Sequence, residues 1–167
     1  MCIRDRITGS GPQDRDETIL DHKPFAVIAD HLSRNGIAVL RYDERGVGAS
    51  SGEFAGATSA DLATDVEAAI DRLKRRKDVD ATRIILAGHS EGGLLAPMIA
   101  SRRDDVAGVI LLAPPGVNGA KIAVNQSRLI AEASGEADAK ELEGQEKFLK
   151  IASVSYTHLT LPTICSV

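Results

Sequence analysis

Apolar residues follow two rhythms along this chain. In three places they form largely apolar runs: Ile37-Ala38-Val39-Leu40-Arg41-Tyr42, Arg83-Ile84-Ile85-Leu86-Ala87, and residues 106–112. Elsewhere they recur every three or four positions. Phe25, Ile28 and Leu32 share a helical face across residues 23–35, where Pro24 suits the first turn and Asn35-Gly36 supplies a stop. Leu62, Val66, Ala69, Ile70 and Leu73 form a second stripe, opened by Thr58-Ser59-Ala60-Asp61 with the pattern of a capping box. Leu94, Leu95, Met98 and Ile99 carry a third helix toward residue 102. A fourth, amphipathic stretch covers residues 119–151, with Ile122, Leu129, Ile130, Leu142, Phe148 and Leu149 as its expected buried positions. Residues 8–19 and 43–56 read as loops rich in Gly, Ser or charge.

Continuous apolar runs of this length are what strands buried on both faces look like. They predict an α/β fold, a mostly parallel sheet with helices on both faces. Right-handed crossovers then bring the loops that follow the strands to one edge of the sheet, where open α/β sheets form their sites. Three loops are expected to meet there: residues 8–16, 43–51 and 89–93.

Composition narrows the function without naming it. A net charge of −4 gives no reason to expect nucleic acid or an anionic membrane as partner. The one dense basic run, Arg75-Arg76-Lys77, is followed by Asp78 and Asp80 and reads as a solvated helix end. No apolar run approaches the roughly 18 residues of a membrane span. With no Trp, the core must rest on Ile, Leu, Val and Ala.

The ends of the chain stand apart. Met1-Cys2-Ile3-Arg4-Asp5 can be encoded by a string whose reverse complement reads Val-Ser-Tyr-Thr-His, the order found at Val154-Ser155-Tyr156-Thr157-His158. Such an inverted repeat resembles a sequencing adapter read through as protein. The expected organisation is a non-native leader at residues 1–6, a core at 7–118, a helical cap segment at 119–153 and a non-native tail at 154–167. Both cysteines, Cys2 and Cys165, fall in those ends, which leaves the body without a disulfide framework or a thiolate metal site. The compartment is open, with the cytoplasm favoured and a signal peptide not addressed by the sequence.

Chemistry concentrates at Gly88-His89-Ser90-Glu91-Gly92, a Gly-x-Ser-x-Gly set between an apolar run and a helical pattern. Strand, sharp turn, helix is the setting that lifts a serine hydroxyl clear of the backbone. The helix N-terminus behind it offers N–H groups to a developing oxyanion. Glycines are needed on either side because a Cβ there would meet the neighbouring strand or helix.

With these elements in place, the chain resembles the α/β-hydrolases over residues 7–116. Gly88 to Gly92 matches that family's nucleophile elbow. Asp43-Glu44-Arg45-Gly46-Val47-Gly48-Ala49-Ser50 matches its Asp-x-Arg-Gly-x-Gly-x-Ser loop. Thr8-Gly9-Ser10-Gly11-Pro12 stands where the family carries an oxyanion loop, with Thr8 in place of the usual His. Residues 9–16 are similar to a bacterial carboxylesterase subgroup related to serine aminopeptidase-like hydrolases, and residues 119–151 resemble the start of a helical cap. The fold implied is thus a partial α/β-hydrolase fold.

The resemblance implies that Ser90 attacks an acyl carbonyl while the N–H groups of Glu91 and Ser10 receive the oxyanion. Asp43 and Arg45 are expected to brace their loop. The implied activity is that of a serine carboxylesterase, cleaving short-chain carboxylic esters through an acyl-enzyme on Ser90. A serine aminopeptidase-like amide hydrolase acting on short peptides, or a non-catalytic binding module on the same fold, are the alternatives.

A serine needs a base, and the base an orienting acid. The family's chain order is Ser, acid, His. After Ser90 the histidine present is His158, within the suspect tail; His22 and His31 precede the elbow, and His89 adjoins the nucleophile but points to a different side. Asp104 and Asp105 fall on the wrong sheet edge, and Asp138 and Glu141 in the cap segment. The acid and the base are therefore expected beyond the cut, and this truncated chain is expected to be inactive. No cofactor is implied. Gly46-Val47-Gly48 fails as a dinucleotide turn because Ser51 holds the third glycine position, no Gly-Lys-Ser/Thr phosphate loop occurs, and no histidines cluster at metal-ligand spacing.

Overall fold

The computed structural model describes residues 3–117 and 119–134. Strand and helix alternate throughout: β1 (Ile3–Ile7), α1 (Pro24–Arg34), β2 (Ala38–Leu40), α2 (Ser59–Lys74), β3 (Ile84–His89), α3 (Gly92–Ala100), β4 (Gly108–Leu112) and α4 (Gly119–Ser134). The chain divides into two compact units, one ending at Pro114 and one beginning at Pro115.

The first unit holds a four-stranded sheet in the order β2-β1-β3-β4. Every pairing is parallel, with Ile7 opposite Gly88 and Gly88 opposite Leu111. β1 was not among the expected strands. Its residues, Ile-Arg-Asp-Arg-Ile, place three consecutive charges between two apolar ends, and the first four fall in the segment set apart as a leader. The sheet nevertheless threads them between β2 and β3.

Alternation along β3 sorts the two faces. Ile84 and Leu86 point into a core with Ile7, with Leu62, Ala63, Val66, Ile70 and Leu73 of α2, and with Leu95, Ala96 and Ile99 of α3. Ala87 and His89 point the other way, where α1 brings Phe25 edge-to-face onto the His89 ring, centroids 6.4 Å apart at 80°. Helices therefore cover both faces. α2 begins with the expected capping box: Asp61 N–H donates to Thr58 Oγ1, and Thr58 N–H donates back to Asp61 Oδ2 at 2.8 Å.

Some local expectations need correction. Ala63 replaces Ala69 in the buried stripe of α2. On α1, Phe25 and Ala29 are buried while Ile28 and Leu32 are half-exposed. Leu129 and Ile130 of α4 are 57% and 61% exposed rather than buried. Leu142, Phe148, Leu149, Asp138, Glu141 and His158 lie outside the described residues. No helix among the described residues is long and apolar enough to cross a membrane.

Candidate active site

Ser90 occupies the turn between β3 and α3 with φ at +50°, a left-handed conformation uncommon for a residue bearing a side chain. Such strain costs about 1–3 kcal/mol and persists where the surroundings over-determine it. Both neighbouring strands hold the turn. Ser90 N–H donates to the Leu112 carbonyl at the end of β4, 3.0 Å, and Gly92 N–H donates to the Thr8 carbonyl just past β1, 3.1 Å. Gly93 N–H then closes back on the Ser90 carbonyl at 2.9 Å.

The three glycines of the motif are fixed by close approach. A Cβ on Gly88 would stand 2.0 Å from the Gly92 oxygen, one on Gly92 2.3 Å from the Ile7 oxygen, and one on Gly93 2.8 Å from Pro114 Cβ. Strand, turn and helix pack backbone against backbone, which leaves no room for a methyl group.

The loops after β1, β2 and β3 meet at this edge, as the topology requires. A Cβ built on Gly9 would lie 3.3 Å from Ser90 Cβ, so the loop after β1 passes directly beside the serine. Among the described residues, neither the Ser10 nor the Glu91 N–H donates to another protein group. Ser90, Ser10 and Glu91, the three residues singled out from the sequence, are thus gathered at one place. The arrangement sets a serine in a strained turn beside the loop after β1.

Carboxylates brace this edge. Thr8, buried where the family resemblance expects a histidine, donates through its hydroxyl to Glu44 Oε1, while Gln13 N–H donates to Glu44 Oε2 at 3.1 Å. Burial pushes the Glu44 carboxyl above its ordinary value, against the Thr8 and Gln13 hydrogen bonds. Asp43 takes the backbone N–H and Nε of Arg15, both at 2.9 Å, and Arg15 Nη2 at 2.5 Å. Those bonds hold its carboxyl well below the usual carboxylate range. Gly48, at φ +55°, leaves the space that Asp43 Oδ2 fills; a Cβ there would lie 2.6 Å from that oxygen. Arg45 forks onto Asp65 of α2 with bonds of 2.7 and 2.9 Å, pinning its loop to that helix. Both Asp43 and Arg45 therefore act on the loop framework, in line with their expected bracing role.

Glu91 turns its carboxylate toward α2, where Ser59 Oγ donates to Oε1 at 2.8 Å. His89 Nδ1 lies 2.6 Å from Glu17 Oε1, which also accepts Gly9 N–H at 3.0 Å. Glu17 is the site residue that sequence reasoning misses: it sits in a run of four charged residues that reads as solvated loop, yet it is buried. His31 is exposed near the end of α1, and His22 is exposed in the bridge that pairs it with Ile19. Asp105, before β4, is tied to Lys74 and Arg103 at the opposite sheet edge. Among the described residues, no cluster of His, Cys, Asp and Glu could hold a metal ion.

Comparison with known proteins identifies the family and the fold. The family model described as serine aminopeptidase, S33, matches residues 22–140. Esterase EstD of Thermotoga maritima is 41% identical over 109 residues, 65% of this chain and 26% of its own length. Among solved structures, Est1E from Butyrivibrio proteoclasticus with ferulic acid bound is 30% identical with a TM-score of 0.57, over 68% of this chain and 43% of that one. The Pyrococcus furiosus esterase Pf2001, 20% identical with a TM-score of 0.61 over 88% of this chain and 54% of that one, supports the fold. The chain spans about a quarter of the length of the curated relative and about half that of these two structures. The parallel order β2-β1-β3-β4, the strained serine between β3 and α3 and the family match converge: the chain belongs to the serine aminopeptidase S33 family of α/β-hydrolases.

Proposed function

We propose that this chain carries the nucleophile and oxyanion parts of a serine hydrolase that cleaves short-chain carboxylic esters. Ser90 attacks the acyl carbonyl and becomes acylated as the alcohol leaves; water then releases the acid. The N–H groups of Ser10 and Glu91 receive the negative charge that develops on the carbonyl oxygen. Fixed dipoles stabilise that charge without reorganising, which makes them worth far more than mobile water. The carrying observation is Ser90 at φ +50° beside Gly9, with both of these amides unused among the described residues.

The catalytic acid and histidine belong, in this reading, to sequence following the fragment. His89 is engaged by Glu17, and His22 and His31 sit on exposed positions of other elements. Losing the base of such a set costs roughly six orders of magnitude in turnover. The 167-residue chain should therefore hydrolyse p-nitrophenyl acetate at close to the background rate. The uninterrupted gene product should turn it over and lose that activity on Ser90→Ala. Full activity in Ser90→Ala defeats the proposal.

A second reading, amide hydrolysis at a free amino terminus, is favoured by the family description and by an acidic residue immediately after Ser90. To attract the substrate ammonium, the Glu91 carboxylate would turn away from Ser59 of α2, whose hydroxyl it accepts. Cleavage of aminoacyl p-nitroanilides without ester turnover selects that reading, and ligand binding without either turnover selects a non-catalytic module.

A further inference from the structure

Glu17 is 2% exposed and adopts φ +51°. A long acidic side chain in a left-handed conformation, buried, must be held by its surroundings. Both of its inward contacts fall on one oxygen. Oε1 accepts Gly9 N–H and faces His89 Nδ1, and with the carboxylate accepting, the ring donates through Nδ1–H. Phe25 packs edge-to-face on the same ring. A single atom thus joins the loop after β1 to the residue immediately before Ser90.

Gly9 is where that loop passes the serine, and a Cβ on Gly9 would be 2.8 Å from Glu17 Oε1 as well as 3.3 Å from Ser90 Cβ. Two consequences follow. The Gly9 amide is already used, so the next amide, that of Ser10, is the one open to an acyl oxygen. The separation between that amide and Ser90 is set by a side chain eight residues beyond Gly9.

We infer that Glu17 is a positioning residue for acyl transfer, clamping the oxyanion loop to the elbow by holding Gly9 and His89 on one carboxylate oxygen. The inference rests on the reading of Ser90 as nucleophile. Glu17 acts through Gly9 and His89, and the chemistry at Ser90 registers its presence as geometry. A misplacement of 1 Å at a reacting centre costs about 10² in rate, and a lost oxyanion donor about 10²–10³.

The test uses the uninterrupted gene product with p-nitrophenyl acetate, active sites being titrated with a fluorophosphonate so that kcat refers to folded enzyme. Glu17→Ala should lower kcat about 100-fold with KM within about twofold. Glu17→Asp draws the oxygen back by one methylene and tolerates the left-handed backbone, so it serves if the alanine variant does not fold; it should lose about tenfold in kcat. Glu17→Gln can present a carbonyl oxygen at the same point and should stay within about threefold of wild type. Wild-type kcat in Glu17→Asp, or a glutamine variant as slow as the alanine or aspartate one, overturns the positioning role. If Ser90→Ala is silent while the Glu17 variants keep wild-type kcat, this inference alone fails. Retained hydrolysis in Ser90→Ala removes the serine-hydrolase reading and this inference together.

Discussion

Gly88→Ala adds one methyl group where the backbone leaves no room for it. Its Cβ would lie 2.0 Å from Gly92 O, 2.3 Å from Gly92 C and 2.7 Å from Gly93 N. All three are main-chain atoms in the first turn of α3, so no rotamer change relieves the contact. Reaching even the shortest tolerable separation of 3.0 Å moves β3 and α3 apart by about 1 Å. The elbow is tied to β1 and β4 by the Gly92–Thr8 and Ser90–Leu112 hydrogen bonds, so that movement strains both. Overpacking costs about 1–3 kcal/mol, and two weakened hydrogen bonds add about 1 kcal/mol each, for an expected loss of about 3–5 kcal/mol. Gly108→Ala is the control: the same methyl, on β4, would have nothing within 4 Å. It should be neutral, or stabilising by up to about 1 kcal/mol through the unfolded chain. Urea unfolding followed by far-UV circular dichroism reads the difference; with a slope of about 1–3 kcal/mol/M the two midpoints should differ by more than about 1 M. Equal midpoints for the two variants would refute the close-packing account of the elbow.

Three further outcomes are expected. Asp43 is held below its ordinary value of 3.8 by Arg15, so it stabilises the fold above that pH and loses its contribution as pH falls through the folded value. Arg15→Ala should therefore flatten the acid limb of a stability-against-pH profile below about pH 4 and leave the slope above about pH 5 unchanged. Glu44 is raised above 4.5 by burial, so its contribution is fully present below that pH and is lost as pH rises through the folded value. Glu44→Gln keeps an acceptor for Gln13 N–H and offers its NH₂ to the Thr8 hydroxyl; it should be more stable than wild type at pH 7, with the gap closing toward pH 4, both read by urea titration. Ile70→Ala empties a fully buried position of α2 and should cost about 2–5 kcal/mol in the same assay, against less than about 0.5 kcal/mol for Val27→Ala on the exposed side of α1.

Much of the framework was legible because it is written locally. The capping box at Thr58–Asp61, the buried stripe of α2 and the stop after α1 depend on residues within a few turns of one another, and periodicity reports them. The elbow was legible for the same reason: its glycines lie within five positions of each other, and their need follows from the turn itself. The candidate nucleophile came from these short-range signals, and the two candidate donor amides from the resemblance to the α/β-hydrolases that the signals support. α4 marks the limit, since an apolar stripe shows which face a helix would bury and says nothing of whether anything covers it.

By itself, then, the sequence determined the α/β class, the helices and the strained serine turn, because spacing along the chain encodes them. Tertiary structure alone decided the rest. β1 exists because backbone pairing to β2 and β3 satisfies its amides, a non-local gain that charged Arg4, Asp5 and Arg6 conceal from any hydropathy pattern. Glu17 meets His89 across 72 positions, and Thr8 meets Glu44 across 36. Such pairs form only when parallel crossovers carry distant loops to one sheet edge, where burial removes water as the competing partner and a charged loop residue becomes a clamp.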